Sequence, residues 1–201
     1  MINHTPRHPR FLSAALASLA LFGAACSKDP PAATPTKSAE TSTGAAAQPT
    51  NAETTASEVK EGAAAPSFTR KAHDGVAVGT AEAKGKYLVV YFYPKDETPG
   101  CTKEACSFRD AWNDLSKQNV LLVGVSGDDD ASHKAFAEHH KLPFHLVADV
   151  DGSLAKTFGV PFNAGFAARQ TFIIAPDGTV KKIFRSVDVT THAAEIAAAT
   201  K

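Results

Sequence analysis

The chain lacks net charge, a membrane-length apolar run and a Cys-x-x-Cys pair. Lys plus Arg and Asp plus Glu both number 21 among 201 residues. No basic field therefore exists to hold a polyanion, and nucleic acid is not an expected partner. The apolar run Phe11 to Ala25 has fifteen residues, short of the ~20 that a spanning helix needs. Cysteine occurs three times, as Cys26 far upstream and as Cys101 and Cys106 close together. Four residues separate the last two, which argues against a thioredoxin-type thiol–disulfide oxidoreductase. No internal repeat and no EF-hand pattern occur. His133, His139, His140 and His145 include no pair at i, i+4, and adjacent helix positions diverge, so neither a metal site nor any cofactor is expected.

What is there begins with an address. Arg7 and Arg10, with no acid among the first ten residues, precede the apolar run and the small residues Gly23-Ala24-Ala25. Basic, then apolar, then small is the order of an export signal, expected over residues 1–25. Gly23-Ala-Ala-Cys26-Ser27 resembles the lipobox of bacterial lipoproteins, although Gly23 stands where that motif usually has Leu. The resemblance implies lipid on Cys26 and a protein anchored on the periplasmic side of a bacterial membrane. Ordinary cleavage after Ala25 would instead leave Cys26 as an exposed thiol. From Ser27 to Gly62 there is no aromatic residue, and Val59 is the sole Val, Leu, Ile or Met. So little apolar surface does not offset the entropy of ordering, and residues 26–62 are expected to form a disordered linker. A coil of this length averages on the order of 30 to 35 Å end to end.

The remainder, residues 63–201, is sized for one domain, within a chain that is 43% hydrophobic. A hairpin is expected around His73-Asp74-Gly75. Tyr87 to Tyr93 is continuously apolar and aromatic, as in a strand buried on both faces. Pro94 ends it, and Thr98-Pro99-Gly100 leads into a helix expected from Cys101 or Thr102 to Leu115. A strand at 120–125, a helix at 132–140, a strand at 144–147 and a helical turn at 153–158 follow. A hairpin over 171–184, turning at Asp177-Gly178, and a helix over 191–199 complete the pattern. The expectation is an α/β fold of three layers with a mixed central sheet and an N-terminal hairpin.

Groups that do chemistry in open α/β sheets collect beyond the carboxyl ends of strands, where the segment from Pro94 to Cys106 falls. A cysteine in the first turn of a helix meets unpaired N–H groups and the positive end of the helix dipole, which favour thiolate and make Cys101 the natural nucleophile. Five residues along an ideal helix bring Cys106 about 140° around the axis and about 8.6 Å away between Cα atoms. A disulfide spans at most about 7 Å. The two sulfurs can bond only if the helix unwinds, which suits a bond made once per turnover. A static disulfide and two unrelated buried thiols are the alternatives that spacing leaves open. Asp128-Asp129-Asp130 reads as a solvated acidic loop, and Phe108 and Trp112 as core packing.

The segment Tyr91-Phe-Tyr-Pro-Lys-Asp-Glu-Thr-Pro-Gly-Cys-Thr-Lys-Glu-Ala-Cys-Ser-Phe-Arg-Asp110 closely resembles the active-site segment of peroxiredoxins of the Q type, also called bacterioferritin comigratory proteins. The likeness continues through Gly124-Val-Ser126, Leu142-Pro143-Phe144, Arg169-Gln-Thr-Phe-Ile-Ile174 and His192. It implies a thioredoxin-like fold and a thiol-dependent peroxidase. On this resemblance Cys101 is the peroxidatic cysteine, Pro94 and Thr98 complete the Pro-x-x-x-Thr-x-x-Cys signature, and Cys106 is the resolving cysteine. Arg169 takes the place of the active-site arginine, and Glu104 that of an acidic residue supporting it. The implied partners are a peroxide and a thioredoxin-like dithiol reductant. Resolution within one chain makes a monomer sufficient. A membrane-anchored oxidoreductase and a binding module that lost its chemistry are the rival readings.

Overall fold

The computed structural model describes residues 58–201. The expected signal segment, Cys26 and the expected linker up to residue 57 lie outside the described residues. Folded structure begins before the expected boundary at residue 63. Val59 is buried in the core, the Gly62 N–H donates to the Val180 carbonyl at 2.8 Å, and Ala64 forms a bridge with Thr179. The one larger apolar residue of the expected linker is thus part of the domain's core.

The elements in chain order are β1 (Thr69–Lys71), β2 (Ala77–Gly79), β3 (Tyr87–Phe92), α1 (Pro99–Asp110), α2 (Trp112–Lys117), β4 (Val120–Ser126) and α3 (Asp130–His140). They continue with β5 (His145–Ala148), α4 (Ser153–Thr157), β6 (Phe162–Asn163), β7 (Phe166–Ala167), β8 (Gln170–Ile174), β9 (Val180–Phe184) and α5 (His192–Ala199). The central sheet runs β5-β4-β3-β8-β9. β3 is parallel to β4 and antiparallel to β8, which makes the sheet mixed. β1 and β2 pair antiparallel around the His73–Gly75 turn.

The alternation of β3 supplies both halves of the core. Leu88, Val90 and Phe92 face one side with Phe68, Val78, Leu154 and Phe158. Val89, Tyr91 and Tyr93 face the other with Cys101, Phe108, Leu115, Phe136 and Ile196. One layer is therefore α1, α2, α3 and α5, and the opposite layer is α4 with the β1–β2 hairpin. Such burial on both sides explains why the strand is continuously apolar.

Three features differ from the sequence expectations. The helix expected to reach Leu115 is divided at Ala111 (φ −85°, ψ 0°) into α1 and α2, so Phe108 and Trp112 sit on different helices while both pack on the same cluster. A small hairpin, β6–β7, turns at Ala164 and Gly165, both at positive φ. Two successive positive φ values are the signature of a tight hairpin turn, but strands this short leave no alternation to read. Asp128 is not solvated. Its side chain is 8% exposed and accepts from the Ser126 hydroxyl at 2.7 Å and the Asp96 N–H at 2.9 Å. Its neighbour Asp129 caps α3 through the Ser132 N–H at 2.8 Å.

Gly124 is required by a close approach. It lies opposite Tyr91 in the β3–β4 register, and a Cβ there would come within 2.7 Å of the Tyr91 ring and 2.8 Å of Leu146. No helix of the described residues is long and apolar enough to cross a membrane.

Candidate active site

β3 ends at the loop Tyr93 to Thr98, and α1 starts with Pro99 at its first position. Proline suits that place because its fixed φ is helical and its missing N–H would have no partner there. Thr98 is the N-cap, but its side chain makes no capping bond. The Thr98 hydroxyl donates instead to the Lys95 carbonyl at 3.0 Å. The N–H groups of Gly100 and Cys101 therefore remain open at the positive end of the helix. Pro94 is half-buried, and Cys101 is 2% exposed.

Arg169 arrives from a distant part of the chain through sheet topology. It directly precedes β8, and the antiparallel pairing of Gln170 with Phe92 sets it beside the end of β3. Its Nη2 donates to the Cys101 sulfur at 3.0 Å, and its Nη1 donates to Glu104 Oε2. Glu104 is one turn beyond Cys101 on α1 and has no exposed surface. Its second oxygen accepts from His192 Nδ1 at 2.8 Å. Burial opposes the charge of Arg169, but Glu104 and the Cys101 sulfur outweigh it and raise the guanidinium pKa. A fixed cation thus points at the sulfur, held from behind by a carboxylate that is itself held by a histidine.

Cys106 is half-buried, and neither it nor the buried Cys101 is in a disulfide. Both lie within the intact α1, and the Cys106 sulfur stands 4.0 Å from His140 Nδ1. Of the residues expected at the site, Arg169 is in direct contact with both Cys101 and Glu104. Thr98 caps the helix that carries Cys101, and Cys106 is displaced along the same helix.

Three relationships were not found by sequence reasoning. The first is His192, which sat within a resembling segment without a role and proves to anchor Glu104. The second is a buried network beneath the loop. Asp96 accepts from the Tyr93 hydroxyl at 2.7 Å, the Ser132 hydroxyl at 2.8 Å and His133 Nδ1 at 2.9 Å. Burial opposes ionisation of Asp96, but its bonds, led by that from His133, hold its carboxyl below the usual range. The third corrects the expectation that His139 and His140 diverge. Their ring centroids are 4.2 Å apart, and each bonds one oxygen of Glu97 at 3.0 Å. Glu97 lies 42 residues before His139, beyond the reach of any local spacing rule.

Residues 62–183 match the model of the AhpC/TSA family. Peroxiredoxin Q, chloroplastic, of Populus jackii is 46% identical over 130 residues, covering 64% of this chain and 61% of that protein. A peroxiredoxin bcp of Coxiella burnetii is 39% identical over 145 residues, covering 69% of this chain and 96% of that protein. The chain spans about six tenths of the length of the plant relatives. The peroxidoxin BcpB structure of Mycobacterium tuberculosis matches with a TM-score of 0.66 at 30% identity, covering 71% of this chain and 97% of the other. The bacterioferritin comigratory protein of Xanthomonas campestris matches with a TM-score of 0.64 at 32% identity, covering 71% of this chain and 95% of the other. The fold is thioredoxin-like, and the chain belongs to the AhpC/TSA family, within it to the peroxiredoxins of the Q, or bacterioferritin comigratory protein, type.

Proposed function

We propose that this protein is a thiol-dependent peroxidase in which Cys101 reacts with hydrogen peroxide or an organic hydroperoxide. The observation that carries the reading is the Arg169 guanidinium 3.0 Å from the Cys101 sulfur. A cation there stabilises the thiolate before reaction and the oxygen that accumulates charge during it. The Xanthomonas campestris relative carries out alkyl peroxide reduction, and its likeness supports extending the substrate range beyond hydrogen peroxide.

The Cys101 thiolate attacks one peroxide oxygen, forming an S–O bond as the O–O bond breaks. The sulfur becomes a sulfenic acid, and the departing oxygen takes up a proton to leave as water or an alcohol. Arg169 and the open N–H groups of Gly100 and Cys101 are suited to hold the peroxide in line. The Thr98 hydroxyl has its proton on the Lys95 carbonyl, so its lone pairs are free to accept from the peroxide O–H. Pro94 shields the sulfur from water.

Cys106 then attacks the Cys101 sulfur. The S–O bond breaks, water leaves after protonation, and an intramolecular disulfide remains for a thioredoxin-like dithiol to reduce. The exchange needs α1 to unwind, because both sulfurs now sit on one helix. No cofactor enters this sequence of steps, and one chain suffices for it. The basic and apolar N-terminal segment followed by Cys26 supports export and lipid anchorage on the periplasmic side of a membrane. The oxidoreductase reading is not favoured, since the family relatives are peroxiredoxins.

The test is peroxide consumption coupled to a thioredoxin system. Cys101→Ser should abolish it, whereas Cys106→Ser should retain a single oxidation per chain and lose turnover. Full activity of the Cys101 variant would overturn the reading.

A further inference from the structure

Glu97, His139 and His140 meet at the surface and take no part in the reaction above. Glu97 lies in the loop between β3 and α1, and the two histidines close the last turn of α3. His139 Nδ1 and His140 Nε2 stand 3.0 Å from separate oxygens of the one carboxylate. One ligand atom from each of the three residues lies within 4.8 Å of the other two. Ligands placed tetrahedrally at about 2.1 Å from an ion are about 3.4 Å from one another. The His–Glu97 separations of 3.0 Å need a small outward adjustment, and the remaining separations, at most 4.8 Å, a closing one.

Two imidazoles and a carboxylate are the donors of a borderline divalent metal, and three protein ligands leave a position for water. The cluster is accessible, with the His139 side chain 68% and Glu97 49% exposed, while His140 at 16% is fixed by packing. Arg109 bonds the His140 carbonyl at 3.0 Å and is paired with Asp110 at 2.9 Å.

We propose that Glu97, His139 and His140 form a binding site for a divalent transition metal of the zinc class. Binding uses the ring nitrogens that now face Glu97, so each ring carries its proton on the other nitrogen. In His140 that nitrogen is Nδ1, 4.0 Å from the Cys106 sulfur. The ion therefore lies one imidazole away from the second thiol and fixes the tautomer that points N–H at it. The site stands or falls on binding, independently of the peroxidase reading.

Cobalt(II) is the probe, because its absorption reports its ligands, with the purified, reduced protein as the sample. The expected result is one cobalt per chain, displaced by zinc, with visible d–d absorption and no thiolate-to-metal charge transfer. His139→Ala removes an exposed ligand and should weaken binding at least about tenfold. Glu97→Gln should do the same. Absence of binding up to about 1 mM cobalt would overturn the proposal. So would undiminished binding in His139→Ala, or a charge-transfer band showing that cysteine is the ligand.

Discussion

Glu104 holds Arg169 by one nitrogen of its guanidinium while the other nitrogen stands 3.0 Å from the Cys101 sulfur. The carboxylate thus does not touch the reacting atom but fixes the group that does. Glu104→Gln keeps the shape and removes the charge that anchors Arg169. A misplacement of about 1 Å costs on the order of a hundredfold in rate, and that loss is expected in the second-order reaction with peroxide. Arg169→Ala should lose about a hundredfold or more, because a charge-stabilising donor is then missing altogether. Stopped-flow measurement of Cys101 oxidation checks both, and a Glu104→Gln rate equal to the parent would remove Glu104 from the site.

Disulfide formation between two positions of one helix must break that helix. Oxidation by one equivalent of peroxide should therefore remove hydrogen-exchange protection from residues 99–110 while that of β3 is retained. Cys106→Ser should keep the protection under the same treatment.

The Tyr91 ring packs over a glycine that has no room for a side chain. Gly124→Ala should lower stability by about 1–3 kcal/mol, the usual range for overpacking a tight core. Urea denaturation reads the change, and an unaltered midpoint would show that the two strands separate easily.

Asp96 carries a depressed carboxyl pKa in the folded protein. The unfolded chain thus takes up a proton at Asp96 more readily than the folded one. The stability linked to this group is complete above about pH 4 and falls away as the pH drops further. Asp96→Asn should flatten that part of the pH profile and cost about 3 kcal/mol at neutral pH, because His133 loses a buried charged partner. Denaturation midpoints between about pH 3 and pH 7 measure both effects.

The order of strands and helices was legible because β3, β4 and β8 are apolar on both faces and the turn at Asp177-Gly178 is explicit. Cys101 was legible from helix-start electrostatics, and the remaining site residues from the likeness to the family segment. Arg169 could not be singled out by spacing, because only the antiparallel pairing of β8 with β3 brings it near. His192 and the Asp96–His133 pair were hidden for a related reason. Each is a contact between separate elements, and a buried histidine in an apolar helix looks the same whether it holds a carboxylate or only fills space. The division at Ala111 lies in an otherwise helical stretch with no glycine or proline to announce it.

The central claim is that Cys101 is oxidised by peroxide and resolved by Cys106 within one chain. Mass spectrometry of the protein before and after one equivalent of peroxide tests it most directly. The account predicts a monomer that loses two hydrogens and yields a peptide pair linked through Cys101 and Cys106. A product carrying added oxygen on Cys101, with Cys106 still open to alkylation, would contradict it.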